Sequence, residues 1–244
     1  MQKLLEYFQN YTLEDIILAE ESDSQFQVLR KAFPSIDEKA FVVWIVTNAI
    51  ICYQLSSSGE SYWQEVANFL KNSYPRNSSQ TITSQKIITD FLTFLPKSTG
   101  NKRLVNMKTK RLQKFQAFLD IFLENPEYFY NNQDEFLQTL CKIMKQKISD
   151  KTIVFTLKMF LYAGRINYWY TKLADKKYPI PIDSRLTKIY LTHNTKKSLK
   201  IERFYELLCK KLWFPAIHFD AILWMKADEL VELGEFPSLR WERG

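Results

Sequence analysis

Glycine is scarce in this chain: there are 5 among 244 residues and none between Gly100 and Gly164. That scarcity argues against glycine-rich phosphate loops and hairpin-dense β folds, and in favour of long helices. Histidine is scarcer still, and His193 and His218 are too few to build a histidine metal site. The three cysteines, Cys52, Cys141 and Cys209, lie far apart with neither CxxC nor zinc spacing. An odd number set in apolar stretches reads as buried thiols in a reducing compartment. No metal or organic cofactor is expected. The most apolar run, from Ala40 to Leu55, is broken by Thr47, Asn48 and Gln54. It falls short of the roughly 20 residues needed to cross a bilayer, so no membrane association is expected. The first eleven residues mix polar and apolar types, which is no secretory signal.

What the chain does have is apolar and aromatic mass, 46% and 15% of its residues, enough for a well-packed core in one large domain or two close lobes. Helical spacing recurs almost throughout. Thr12 with Asp15 makes an N-cap signal, and a second helix is expected from Asp23 to Phe33, before Pro34. Ser35 with Glu38 predicts the start of a central helix running to about Leu55. Further helices are expected over Glu60 to Asn72, around Ile87 to Leu95, around Leu112 to Phe122 and around Phe136 to Met144. The remainder fall at Thr152 to Ala163, Ser184 to Leu191, Arg203 to Leu212 and His218 to Leu233. No strand pair stands out, so the fold class is all-α.

Charge is unevenly spread. Between Lys97 and Lys200 lie 21 Lys/Arg and 8 Asp/Glu, against 13 and 19 in the rest of the chain. A basic middle between acidic ends suits a surface that meets a polyanion, with Lys97, Lys102, Arg103, Lys108, Lys110 and Arg111 expected to hold phosphates. A solvated lysine-rich face would give the same composition.

Two residues are candidates for chemistry. Ser149 or Asp150 can cap the helix that follows, putting Lys151 in its first turn. The partial positive charge at a helix N-terminus, with desolvation beside Phe155, favours the neutral form of an amine there, the form a nucleophile needs. An ordinary surface lysine is the plainer alternative. Pro179 and Pro181 bracket a rigid extended segment, and Asp183 follows as a cap for the next helix. A carboxylate so placed can also offset developing positive charge or take a proton. Lys151, Phe155 and Lys158, spaced i, i+4, i+7, share one helix face, and Asp220 and Trp224 share another.

Lys151-Thr-Ile-Val-Phe155-Thr-Leu-Lys158, followed by Pro-Ile-Pro-Ile-Asp183-Ser-Arg185, resembles the archaeal 8-oxoguanine DNA glycosylases (AGOG), a divergent branch of the helix-hairpin-helix glycosylase superfamily. Three further segments carry the same likeness: Asp23-Ser-Gln25-Phe26; Asn48 to Leu55 with Gly59-Glu-Ser-Tyr-Trp63; and Phe214 to Asp220 with Trp224. The likeness runs from about residue 13 to about residue 230. It implies a single two-lobed helical domain over residues 1–244, a helix-hairpin-helix region at about 134–164, and an active site in the cleft between lobes. It further implies that Lys151 forms a Schiff base and that Asp183 is the essential aspartate. Phe155 and Trp63 would sandwich an extruded base, and Gln25, Lys158, Asp220 and Trp224 would line its pocket. The expected activity is excision of 8-oxoguanine followed by β-elimination at the abasic site. The expected partner is lesion-bearing DNA, met by a monomer in the prokaryotic cytoplasm, at the chromosome.

The chain departs from the wider superfamily in two respects. No Leu-Pro-Gly-x-Gly hairpin occurs near Ser149, and no four-cysteine iron–sulfur motif is present. Two other readings stay open at this point: a glycosylase of the same fold for another damaged base, and a helical nucleic-acid-binding module in which Lys151 merely faces phosphate. For Trp63 a core aromatic, and for Gln25 a helix-capping role with Ser22, are the structural alternatives.

Overall fold

A computed structural model describes residues 1–194 and 198–235. The helices are α1 (Gln2–Phe8), α2 (Leu13–Ser22), α3 (Ser24–Ala32), α4 (Glu38–Ala49), α5 (Gly59–Ser73), α6 (Ser84–Phe94) and α7 (Val105–Phe122). They continue with α8 (Pro126–Asn131), α9 (Gln133–Met144), α10 (Lys151–Tyr168), α11 (Ser184–His193), α12 (Ile201–Leu212), α13 (Ala216–Met225) and α14 (Ala227–Glu235). Among the described residues the only β-type contact is an isolated bridge between Ile36 and Pro75, so the fold is all-α. None of these helices is long and apolar enough to cross a membrane.

The helices fall into two compact units. One holds residues 21–174, the other residues 1–20 with the chain from Asp175 onward. In the larger unit α4 packs along α10. Every residue of α4 from Ala40 to Ala49 is buried, as expected of a helix apolar on all sides. Trp44 stacks on Phe91 with centroids 3.8 Å apart, and Phe136 stacks on Phe160 at 4.6 Å. Gly164 is where α10 meets the Tyr130 ring; a Cβ there would lie 2.3 Å from ring carbons, so only glycine fits. The smaller unit closes around Phe8, Leu186, Ile189, Phe204, Leu208, Phe219 and Leu230. Within it Glu20 and His218, both fully buried, meet Oε1 to Nδ1 at 2.8 Å.

Several expected boundaries are corrected. The central helix starts at Glu38 under Asp37, whose carboxylate accepts the Ala40 N–H (2.9 Å), while Ser35 lies in a separate 3-10 turn. It ends at Ala49 and not near Leu55, because Ile51 N–H turns back to the Asn48 carbonyl and Cys52 N–H to that of Ala49. Ile50 and Ile51 are buried like the helix before them, so apolar spacing does not mark this end. The expected helix from His218 to Leu233 is two helices, broken at Lys226. Gln25 is not capped by Ser22: Asp23 caps α3 and accepts the Gln25 N–H at 2.9 Å. Pro126 begins α8, where its missing N–H is no loss. The Thr12–Asp15 box forms as expected, with Asp15 N–H to Thr12 Oγ1 at 3.2 Å and Thr12 N–H to Asp15 Oδ2 at 2.7 Å.

Candidate active site

Lys151 is the first residue of α10 and is exposed. Asp150 precedes it as N-cap but does not cap with its side chain. Its carboxylate turns back to the Lys147 N–H (3.1 Å) and the Gln146 amide (3.2 Å). Along the face of α10 that starts at Lys151, exposure falls away: Phe155 is half-buried and Lys158 buried. The Lys151 amine also lies near enough to Cys52 to favour its thiolate, although burial is the larger effect and pushes that thiol up to about 12.

Two other expected pocket residues stand in the same unit, on helices α3 and α5, which pack together. The Gln25 amide lies against the start of α5, where a Cβ on Gly59 would be 3.2 Å from Nε2. Gln25 Oε1 is buried without a hydrogen-bond partner, and so is the indole nitrogen of Trp63, a residue with none of its surface exposed. Asp23 ties this group to α10. Besides the Gln25 N–H, its carboxylate accepts the Tyr162 hydroxyl (3.1 Å) and pairs with Lys158 at 3.6 Å, all at nearly complete burial.

The smaller unit holds the rest. Asp183 is half-buried at the N-cap of α11, its Oδ1 accepting the Leu186 N–H at 2.9 Å. Its Oδ2 accepts the Trp224 indole N–H at 3.2 Å. Capping and side-chain recognition therefore coexist in one carboxylate. The Arg185 guanidinium lies 3.7 Å from the Trp224 ring centroid and donates to the Trp224 carbonyl (3.4 Å). Asp220, one turn earlier on α13, is buried. Burial pushes the Cys209 thiol up to about 12, with Asp220 adding to it. Tyr205 is driven up by burial, with Asp183 and Asp220 next in weight.

Residues 5–236 match the family described as AGOG: N-glycosylase/DNA lyase. The chain belongs to that family. An N-glycosylase/DNA lyase of Nanoarchaeum equitans is 32% identical, the match covering 91% of this chain and 88% of the relative. One from Methanococcus maripaludis is 30% identical over 92% and 86% respectively. In three dimensions the chain resembles the 8-oxoguanine DNA glycosylase of Pyrobaculum aerophilum, solved as an 8-oxoguanosine complex. The TM-score is 0.79 at 19% identity, with 97% and 96% of the two chains covered. This AGOG member is thus an N-glycosylase and DNA lyase.

One expected phosphate-facing residue of the AGOG chain is corrected. Lys108 has no exposed surface. Its ammonium donates to Asn101 Oδ1, lies 5.0 Å from the Tyr53 ring centroid, and is pulled down to about 8, chiefly by burial. Arg111 is half-buried and bonded internally. Lys97, Lys102, Arg103 and Lys110 are exposed as expected. Of the cysteines only Cys209 is fully buried. Sequence reading named Asp23 and Arg185 within motifs but assigned them no role. For Asp23 a signal existed: an Asp two residues before a candidate pocket residue, at a helix start.

Proposed function

We propose that this enzyme removes 8-oxoguanine from DNA through Lys151 and then nicks the strand by β-elimination. The observation that carries the substrate reading is the buried, unpartnered Gln25 Oε1. An orphan acceptor needs a donor, and 8-oxoguanine offers N7–H where guanine offers a second acceptor. The 8-oxoguanosine held by the Pyrobaculum aerophilum glycosylase supports the same class of ligand. A base inside a duplex is out of reach, so it is everted at a cost of a few kcal/mol, offset by stacking of about 1–3 kcal/mol on aromatics such as Phe155.

The Lys151 lone pair bonds to C1′ as the C1′–N9 bond breaks, and its electrons leave with the base, which takes a proton. The sugar ring opens, O4′ gaining a proton, to leave an imine between C1′ and Nζ. Loss of a C2′ proton then expels the 3′ phosphate. Asp183 serves as the carboxylate that offsets positive charge at the sugar or takes the amine proton. Asp220 accepts from the N1–H and N2–H edge of the base, and Lys158 and Trp224 complete its surroundings.

The test is borohydride trapping on duplexes carrying 8-oxoguanine, uracil or no lesion. Wild type should give a covalent adduct and a nick with 8-oxoguanine, and Lys151→Ala should lose both by about 10³-fold or more. An adduct that survives Lys151→Ala removes the lysine assignment. Preference for uracil removes the substrate assignment.

A further inference from the structure

The turn that carries Lys151 contains no glycine, and something else must hold it. Helices α9 and α10 are joined by residues 145–150, entered through Lys145 in the left-handed region (φ 53°), a conformation that costs a side-chain-bearing residue about 1 kcal/mol. Two basic side chains of α7 reach this turn. Lys114 Nζ donates to the Met144 carbonyl at 2.6 Å. Arg111 Nη2 donates to Gln146 Oε1 and, at 2.8 Å, to Thr152 Oγ1, while Arg111 Nε donates to the Ile50 carbonyl at 2.7 Å. Gln146 in turn donates to Asp150. The two neighbours of Lys151 in sequence, Asp150 and Thr152, are thereby held from one guanidinium, directly or through Gln146. The same group grips the turn after α4 at Ile50, two residues before Cys52.

We propose that Arg111 is a positioning residue: it fixes the backbone on both sides of Lys151 so that the amine is delivered to C1′ along one line, and it does not bind DNA phosphate. A planar fork that spans three acceptors can do this, and a lysine cannot. The inference rests on the Schiff-base role of Lys151 and adds where the precision of that group comes from. Misplacing a reacting atom by about 1 Å can cost roughly 100-fold in rate.

Five proteins test it: wild type, Arg111→Met, Arg111→Lys, Thr152→Val and the double variant of Arg111→Met with Thr152→Val, each assayed by single-turnover borohydride trapping on 8-oxoguanine duplex. Arg111→Met should slow trapping by about 10- to 100-fold. Arg111→Lys should regain thermal stability without regaining the rate. Thr152→Val should slow trapping several-fold, and the double variant should be no slower than Arg111→Met alone, because both remove one linked contact. Duplex affinity is measured in a Lys151→Ala background across salt. The slope should be unchanged by Arg111→Met, whereas loss of a phosphate contact lowers it by about 1. The proposal is overturned if Arg111→Met traps within two-fold of wild type, if Arg111→Lys restores the full rate, or if the salt slope falls. Should Arg111→Met fail to fold, Thr152→Val at wild-type rate overturns it equally. If wild type itself gives no adduct, the Schiff-base reading has failed and not this one.

Discussion

The two residues proposed to carry the chemistry are prepared in opposite ways. The lysine of the larger unit is exposed, and its amine forms no hydrogen bond or ion pair among the described residues; what is held is the chain around it, through the side chains of Asp150 and Thr152. The aspartate of the smaller unit is half-buried with a donor on each oxygen, one from a backbone amide and one from an indole. A nucleophile must be able to approach and form a bond, so its side chain is left unencumbered and its tether is made stiff. A carboxylate that acts by its charge forms no bond to carbon, so it gains from having its direction fixed beforehand. The contrast teaches that preorganisation sits in the main chain on one side of the chemistry and in the side chain on the other.

The sharpest way to break the comparison is Asp183→Asn. Asparagine caps helices about as well as aspartate, so α11 should stay folded with the melting temperature little changed. The rate of adduct formation should nevertheless fall by about 10²- to 10⁴-fold, the range for a positioned acid–base group. A variant that keeps its rate would reduce Asp183 to a cap. A smaller effect is expected from Trp224→Phe, which keeps a ring for Arg185 but removes the N–H that holds Oδ2. Roughly ten-fold slower trapping with unchanged duplex affinity is expected. Trapping at the wild-type rate would mean that the indole N–H does not orient Asp183.

How much of this could be read from the sequence follows from the range of the interactions. The Thr12–Asp15 box is local and was legible; so was Asp183 as a cap, since its acceptor role depends on a residue three positions away. Where two local signals compete, spacing fails: Asp37 caps α4 in place of Ser35, and apolar periodicity runs on past both Ala49 and Lys226 although the helices end there. Lys151 and its face were legible because i, i+4, i+7 spacing survives folding. Asp23 and Arg111 were not. Their partners lie 139 residues away at Tyr162 and 61 away at Ile50, so the helix-start position of Asp23 was visible but neither contact was. Lys108 illustrates the opposite failure, since composition counts a buried amine and a surface one alike.

Lys108 also supplies the finest test of the contrast, because it is an amine of the larger unit that is enclosed where Lys151 is exposed. Its ammonium is pulled from 10.5 down to about 8 in the folded protein, mainly by burial and partly by Arg103, while Cys52 opposes this. Between those two values the unfolded chain holds the proton and the folded chain has released it. Stability therefore rises with pH across that window, and the cost of the buried charge is fully present below about pH 8. One proton accounts for a slope of at most about 1.4 kcal/mol per pH unit. Cys52, raised by burial from 9.0 to about 12, works the other way above pH 9, so the clean interval is pH 8 to 9. Urea unfolding of wild type and Lys108→Met across it should give a difference in stability that shifts in the variant's disfavour as pH rises. Parallel curves would mean that the amine keeps its solvent and is not the enclosed counterpart of Lys151.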